Sequence, residues 1–323
     1  MQLVRQKEHS RPSSRLSPRS GRSTRGVRVV GIALLVAALG SACADQGAEE
    51  RPASGPARPA AGQQPRAEAQ GAAGALHAYV ERVRKARAAR VAAAKKWGLA
   101  QPPLEAPEPP RVKPRITTRK GFETDGENLP PVFTTVPTKQ KIVFLTIDDG
   151  AEKDPELLRM MSELRIPYSA FLSDYLVKED YGYFKKMQDA GVALHNHTLT
   201  HPYLPGLDYA DQKRQICGMQ DVIEKRFGKR PPLFRPPYGN YNEDTLRAAK
   251  SCGVKAVPLW ASEAFPDHME WREWDRDLHP GDIILTHFRG KGDWKGSMPD
   301  MIRRVMKTVT AKGYAVAKLE DYV

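Results

Sequence analysis

Four short clusters in this sequence gather residues that can hold a metal ion or move a proton. The first is Thr146-Ile147-Asp148-Asp149-Gly150, which closes an apolar run. Adjacent carboxylates at the end of a buried strand repel each other and lose solvation, so something must compensate them. A metal ion could compensate one and an arginine the other. Taken alone, the pair could equally cap the turn before a helix. The second cluster is His195-Asn196-His197-Thr198-Leu199-Thr200-His201-Pro202, with three of the 8 histidines within seven positions. One helical turn would bring His197 and His201 to the same side. Two histidines with one carboxylate make a catalytic zinc set that leaves a position for water. His195 precedes His197 by two on extended chain and is expected to face the other way as a structural residue.

The third cluster is Phe234-Arg235-Pro236-Pro237-Tyr238-Gly239-Asn240. Its prolines stiffen a loop that could fix Arg235 and aim the backbone N–H groups of Tyr238 or Gly239 into a site. A stiff connector with Arg235 on the surface is the plainer alternative. The fourth is Gly281-Asp282-Ile283-Ile284-Leu285-Thr286-His287-Phe288, where His287 ends another apolar strand.

The elements that must carry these clusters alternate. Lys141–Ile147 is a near-continuous apolar run, as for a strand covered on both faces. Asp154-Pro155 opens a helix. A strand at Tyr168–Leu172, a helix at 180–190 and a strand at Val192–Leu194 follow. A long helix at 208–227 closes at Gly228. Asn242 caps another helix that ends by Gly253. Strands at Val254–Trp260 and Ile283–Thr286, a helix at 298–312 and a strand at Tyr314–Lys318 complete the pattern. Such alternation predicts an α/β fold of parallel βα units. About seven strands in this length suit a distorted (β/α) barrel better than a full eightfold one of ~250 residues. Chemistry in such barrels sits at the C-terminal ends of strands, where the four clusters fall.

In order, TIDDG, HTLTH, RPPYG and LTH resemble the motifs of the polysaccharide deacetylase family, the NodB homology domain of carbohydrate esterase family four, in the manner of an exported actinobacterial member. The resemblance covers Lys141 to the C-terminus. It implies Asp148 as catalytic base, Asp149, His197 and His201 as metal ligands, Arg235 as the partner of the base and His287 as general acid. It also implies that Leu285 and Trp260 line an acetyl pocket, that the Tyr238 N–H meets the oxyanion, and that Thr198 and Thr200 orient the histidine segment. The implied cofactor is a divalent metal, zinc first and cobalt or nickel as substitutes. The implied reaction is N-deacetylation of an amino-sugar polysaccharide such as peptidoglycan or a chitin-like glycan. O-deacetylation of a xylan-type polymer and glycan binding without turnover are the alternatives. One departure stands out. The family places an aspartate after the strand that ends in tryptophan, to tune the acid. Here Glu263 is the nearest residue, with Asp267 and Asp275 as rivals. The nearby His268, Trp271, Arg272 and Trp274 could form a sugar platform or a buried loop cluster.

Charge divides the 323 residues. The whole chain carries +13, of which residues 1–43 hold +7, residues 44–137 hold +5 and the rest +1. A nucleic-acid enzyme should carry its basic patch on the folded domain, so nucleic acid is excluded as a partner. Arg22, Arg25 and Arg28 precede an apolar run, Val29–Leu39, and then Gly40-Ser41-Ala42-Cys43. That is the layout of an export leader, too short to span a bilayer at about 20 apolar residues. Its ending resembles a lipobox with Gly40 in place of leucine, which makes Cys43 a lipidation candidate. Cys217 and Cys252 then remain as a disulfide or as two buried thiols. Residues 44–137 are expected to be a flexible Pro/Ala-rich tether with one helix at 76–97, and residues 138–323 the deacetylase domain. The reading is of a monomer, exported to the cell envelope as a membrane-anchored lipoprotein or secreted, and acting on an acetylated wall or extracellular polysaccharide.

Overall fold

A computed structural model describes the backbone from Gln64 and the side chains from Gly74 to Val323. The expected leader, Cys43 and the first part of the tether lie outside the described residues. No helix among the described residues is long and apolar enough to cross a membrane.

The elements run in chain order as α1 (Gln64–Lys96), β1 (Val132–Phe133), β2 (Ile142–Asp149), α2 (Pro155–Leu164), β3 (Ser169–Leu172), α3 (Asp174–Val177), α4 (Tyr181–Asp189) and β4 (Ala193–Asn196). There follow α5 (Tyr209–Phe227), α6 (Glu243–Ser251), β5 (Val257–Pro258), β6 (Ser262–Ala264), β7 (Met269–Trp271), β8 (Ile283–His287), α7 (Met298–Ala311) and β9 (Ala315–Ala317). Local chemistry sets most of these boundaries. The Asp154 carboxylate accepts from Glu156 N at 2.8 Å at the start of α2. Gly228, at φ 79°, ends α5 in the left-handed region. A reciprocal Ser297/Asp300 capping box starts α7. That helix then buries Met301, Ile302, Val305, Met306 and Val309 along one stripe.

The main sheet has the order β4-β3-β2-β8-β6-β7, with β9 paired to the first residues of β2. All its pairs are parallel except β6–β7. Every residue of β2 is buried, as expected of the central strand. Beyond β4 the ring continues through single bridges, Asn196 to Phe234 and Leu233 to Ala256, and not through a ladder. A separate β1–β5 pair follows, and one bridge from Thr135 to Asp282 leads back towards β8. The result is a distorted (β/α) barrel that is incomplete on this side. Only Val257 and Pro258 of the expected Val254–Trp260 strand join a ladder. Pro258 lacks the N–H that a ladder needs.

The compact unit reaches upstream of the boundary expected at Thr138, as far as Ala75. Val132, Phe133, Thr134 and Val136 are buried, and β1 pairs with β5. Val136 N donates to Gly281 O at 2.8 Å, and the chains approach so closely that a Cβ on Gly281 would lie 1.9 Å from Val136 O. The prolines at 130, 131 and 137 flank this strand without interrupting it, which is where an edge strand tolerates them. The expected helix at 76–97 is the later part of α1. Its end docks on the domain through Ala94 and Trp97, and the Trp97 indole donates to Glu163 at 2.7 Å.

Candidate active site

Register alone brings three of the four clusters to one end of the barrel. Asp148 of β2 lies opposite His287 of β8. Asp149 lies opposite Leu172 of β3, which lies opposite Asn196 of β4, and His197 is the next residue. The third cluster joins through the bridge at Phe234, after which Arg235 N donates to Asn196 O at 2.9 Å. The four meet in a cleft of about 420 Å³ lined by Asp148, Asp149, His197, His201, Tyr238, Trp260, Glu263, Phe265, Leu285, His287, Arg289 and Trp294.

The residue after Asp148 turns sharply. Asp149 has φ 80° and Gly150 φ 100°, and a Cβ on Gly150 would meet Val177 at 2.5 Å. The histidine segment is not a helical turn, contrary to expectation. Thr198 and His201 have φ 73° and 55°, and the segment is a loop. The Thr198 hydroxyl accepts from His201 N at 3.0 Å and holds that loop. Thr200 instead bonds Gln215, at 2.9 Å. Tyr238, at φ 62°, is left-handed as well. Of the seven non-glycine residues with positive φ among those described, four therefore sit at this site, where backbone strain serves positioning.

Asp149, His197 and His201 form the one cluster of potential metal ligands found among the described residues. Asp149 Oδ1 lies 3.6 Å from His197 Nε2 and 3.4 Å from His201 Nε2, and the two nitrogens are 3.2 Å apart. That oxygen is buried and has no hydrogen-bond partner. His197 Nδ1–H donates to the Arg235 carbonyl at 2.7 Å, which turns Nε2 and its lone pair to the cluster. Burial brings both histidines down to about 4, so both rings are neutral. Burial pushes Asp149 up, but His197, His287, His201 and Arg289 outweigh it and hold the carboxyl below its usual range. Two neutral imidazoles and an ionised, unpartnered carboxylate oxygen fit a divalent cation.

Arg235 is fully buried beside this cluster and is not the surface residue of the plainer reading. Its Nη1 donates to Asp148 Oδ1 at 2.7 Å and to Thr146 Oγ1 at 2.9 Å. Its Nε donates to Pro258 O at 2.7 Å, and its plane lies 4.3 Å from the Phe171 ring. Burial pushes Asp148 up to about 6, against the pull of Arg235 and His287. In the same cleft, His287 Nδ1 lies 3.3 Å from Glu263 Oε1. Burial pushes His287 down, yet Glu263, Asp149 and Asp148 together carry it above the ordinary histidine value. Leu285, Trp260 and Tyr238 line the same cleft, and the Tyr238 ring packs on His201 at 4.7 Å.

His195 does not face away from His197. Residues two apart on a strand share a face. His195 lies one layer deeper, its ring 5.0 Å from Phe171 and its Nε2 2.7 Å from Glu320. The hairpin of β6 and β7 breaks up the expected aromatic group. His268 stacks on Phe265 at 4.5 Å, Trp271 packs against the main core, and Trp274 is 92% exposed. Phe265 and Trp294, unmarked in the sequence, are the aromatic residues that join Trp260 and Tyr238 at the cleft. Arg289 was equally unmarked, and it donates to Asp149 Oδ2 at 2.8 Å.

Residues 135–257 match the family described as polysaccharide deacetylase. An uncharacterised protein of Streptomyces coelicolor is 39% identical over 199 residues, covering 61% of this chain and 79% of that protein. The chain belongs to the polysaccharide deacetylase family. It is therefore of a hydrolase class that acts on N-acetyl amide bonds. A peptidoglycan-N-acetylmuramic acid deacetylase of Bacillus subtilis is 28% identical over 196 residues, covering 57% of this chain and 72% of that enzyme. Among solved structures, a family-four pseudoenzyme from Bacillus anthracis matches with a TM-score of 0.51 and 22% identity, covering 60% of this chain and 69% of that one. That likeness shows the shared fold alone. Whether this polysaccharide deacetylase family member turns over rests on its own site residues.

Proposed function

We propose that this protein removes N-acetyl groups from an amino-sugar polysaccharide of the peptidoglycan or chitin type. One observation carries the reading. Asp148, held by Arg235, and His287, held by Glu263, line the same cleft as the Asp149/His197/His201 cluster. A divalent cation held by the three donors would supply Lewis acidity towards water and the acetamide carbonyl. Two neutral imidazoles and one carboxylate favour zinc.

The protein groups then divide the proton work. Asp148 takes a proton from the water that attacks the carbonyl carbon, and Arg235 keeps the carboxylate ionised until that moment. The Tyr238 backbone N–H meets the developing oxyanion. As the C–N bond breaks, protonated His287 gives its proton to the leaving amine. Acetate and a free amino sugar result. Leu285 and Trp260 form the wall for the acetyl methyl group. The 3.3 Å approach of Glu263 to His287 supports Glu263 as the residue that tunes the acid.

Purified protein with zinc is expected to release acetate from acetylated chito-oligosaccharides. Elemental analysis that finds no bound metal in active wild-type protein would overturn the mechanism. Release from acetylated xylan alone would make the protein an O-acetyl esterase. We further propose that the chain is exported, that Cys43 carries the lipid, and that the residues between Cys43 and Ala75 act as its tether. A labelled fatty acid that fails to enter the protein in cells, but enters a known lipoprotein, would remove the anchor.

A further inference from the structure

The two oxygens of Asp149 have different surroundings. Oδ1 is buried, has no hydrogen-bond partner and faces the two histidine Nε2 atoms. Oδ2 accepts a charge-assisted hydrogen bond from Arg289 Nη2 at 2.8 Å. Arg289 follows His287 by two at the end of β8 and is the one Arg or Lys within 4.0 Å of Asp149 among the described residues. Its second nitrogen, Nη1, is only loosely engaged, 3.8 Å from Asp293. An unrestrained carboxylate can grip a cation with one oxygen or both. A two-oxygen grip would fill a coordination position that water and the substrate carbonyl need.

We propose that Arg289 is a positioning residue that occupies Oδ2, and so confines Asp149 to ligation through Oδ1. This rests on the reading that Asp149, His197 and His201 hold the catalytic cation. The position of Arg289 makes the role testable by sign. If its charge alone mattered, its removal from beside a cation would tighten metal binding. If it orients the ligand, its removal loosens the metal by about 10–100-fold, as losses of outer partners of metal ligands do.

The test uses the full chain with Arg289→Met, Arg289→Gln and Arg289→Lys. Zinc affinity is measured by chelator competition, coordination by the visible absorption of the cobalt-loaded protein, and turnover on acetylated chito-oligosaccharide at saturating zinc. Arg289→Met is expected to weaken zinc by about 10–100-fold. It is also expected to shift cobalt absorption to the weaker bands of higher coordination, and to lower kcat with KM unchanged. Arg289→Lys keeps a donor and is expected to restore part of each. Should Arg289→Met fail to fold, Arg289→Gln and Arg289→Lys give the same two readouts. Unchanged or tighter zinc binding with an unchanged cobalt spectrum would overturn the proposal. A rise in KM alone would also overturn it and make Arg289 a substrate contact. Asp149→Asn and His201→Ala separate the two levels of the reading. If they lose metal and Arg289→Met does not, only the role of Arg289 fails. If they keep wild-type zinc affinity, the metal site itself fails.

Discussion

His287 Nδ1 lies 3.3 Å from Glu263 Oε1, and β6 holds Glu263 in register with Leu285, two residues before His287. The rival carboxylates are occupied elsewhere. Asp267 pairs with His268 at 2.7 Å and Asp275 with His279 at 3.0 Å. Burial alone would push His287 down, and Glu263 heads the groups that carry it up. In the proposed reaction His287 is the general acid, which works in its protonated form, so activity is lost as pH rises through its pKa. Glu263→Gln should therefore move the alkaline limb of the kcat/KM profile to lower pH and slow turnover by about 10–100-fold. Asp267→Asn should change neither. An alkaline limb that stays in place in Glu263→Gln would remove Glu263 from the acid side.

Asp148 and Arg235 predict two different failures. In the proposed reaction Asp148→Asn removes the proton acceptor and keeps the shape, so kcat should drop by about 10²–10⁴-fold with metal still bound. Arg235→Met leaves a buried carboxylate without its 2.7 Å partner. Breaking such a pair costs about 3–5 kcal/mol, so this variant should lose stability as well as activity. The double variant Asp148→Asn/Arg235→Met should recover part of that stability, since no charge is then left unpaired. Urea unfolding of the three proteins measures this, and equal stability of the single and double variants would argue against a buried ion pair.

The sequence disclosed what is local in the chain. Asp148 and Asp149 stand out because they interrupt an apolar strand, and His197 and His201 because histidines are scarce. Arg289 gave no such signal. Its partner Asp149 is 140 residues earlier, and only the β2–β8 register brings them together. The expected helical turn at His197–His201 failed for a related reason. The loop holds left-handed residues at Thr198 and His201, which tertiary contacts impose and which no helical spacing reveals. The placement of His195 was a matter of depth and not of facing. It shares the inward face with His197, but Glu320, 125 residues later, occupies it. The start of the domain was hidden by its prolines. Val132 and Phe133 read as linker until Val257 and Pro258 supply the partner strand.

Cys217 of α5 and Cys252 at the end of α6 are joined as a disulfide with a sequence separation of 35. A loop of that length predicts about 3–4 kcal/mol of stabilisation through the entropy of the unfolded chain. Both cysteines lie outside the cleft residues. The double Cys217→Ser/Cys252→Ser variant, or reduction of the wild type, should lower Tm markedly and leave kcat at moderate temperature unchanged. Thermal unfolding with and without reductant checks this. An unchanged Tm on reduction would show that the pair does not staple these helices.

The aromatic residues that line the cleft can be separated from those that merely look suitable. Trp274 is the most conspicuous aromatic residue of the 268–274 segment, yet it is 92% exposed and absent from the cleft. Trp294 and Phe265 line the cleft, with their rings 5.6 Å apart and Trp294 6.3 Å from His287. A sugar ring entering beside His287 would lie against them. Losing one such stacking wall costs binding on the order of 1 kcal/mol. Trp294→Ala should therefore raise KM for acetylated chito-oligosaccharides more than it lowers kcat, and the effect should grow with oligomer length if the wall reaches beyond the reacting sugar. Trp274→Ala should leave both constants unchanged. The reverse pattern, with KM sensitive to Trp274 and indifferent to Trp294, would place the sugar platform on the segment that follows β7.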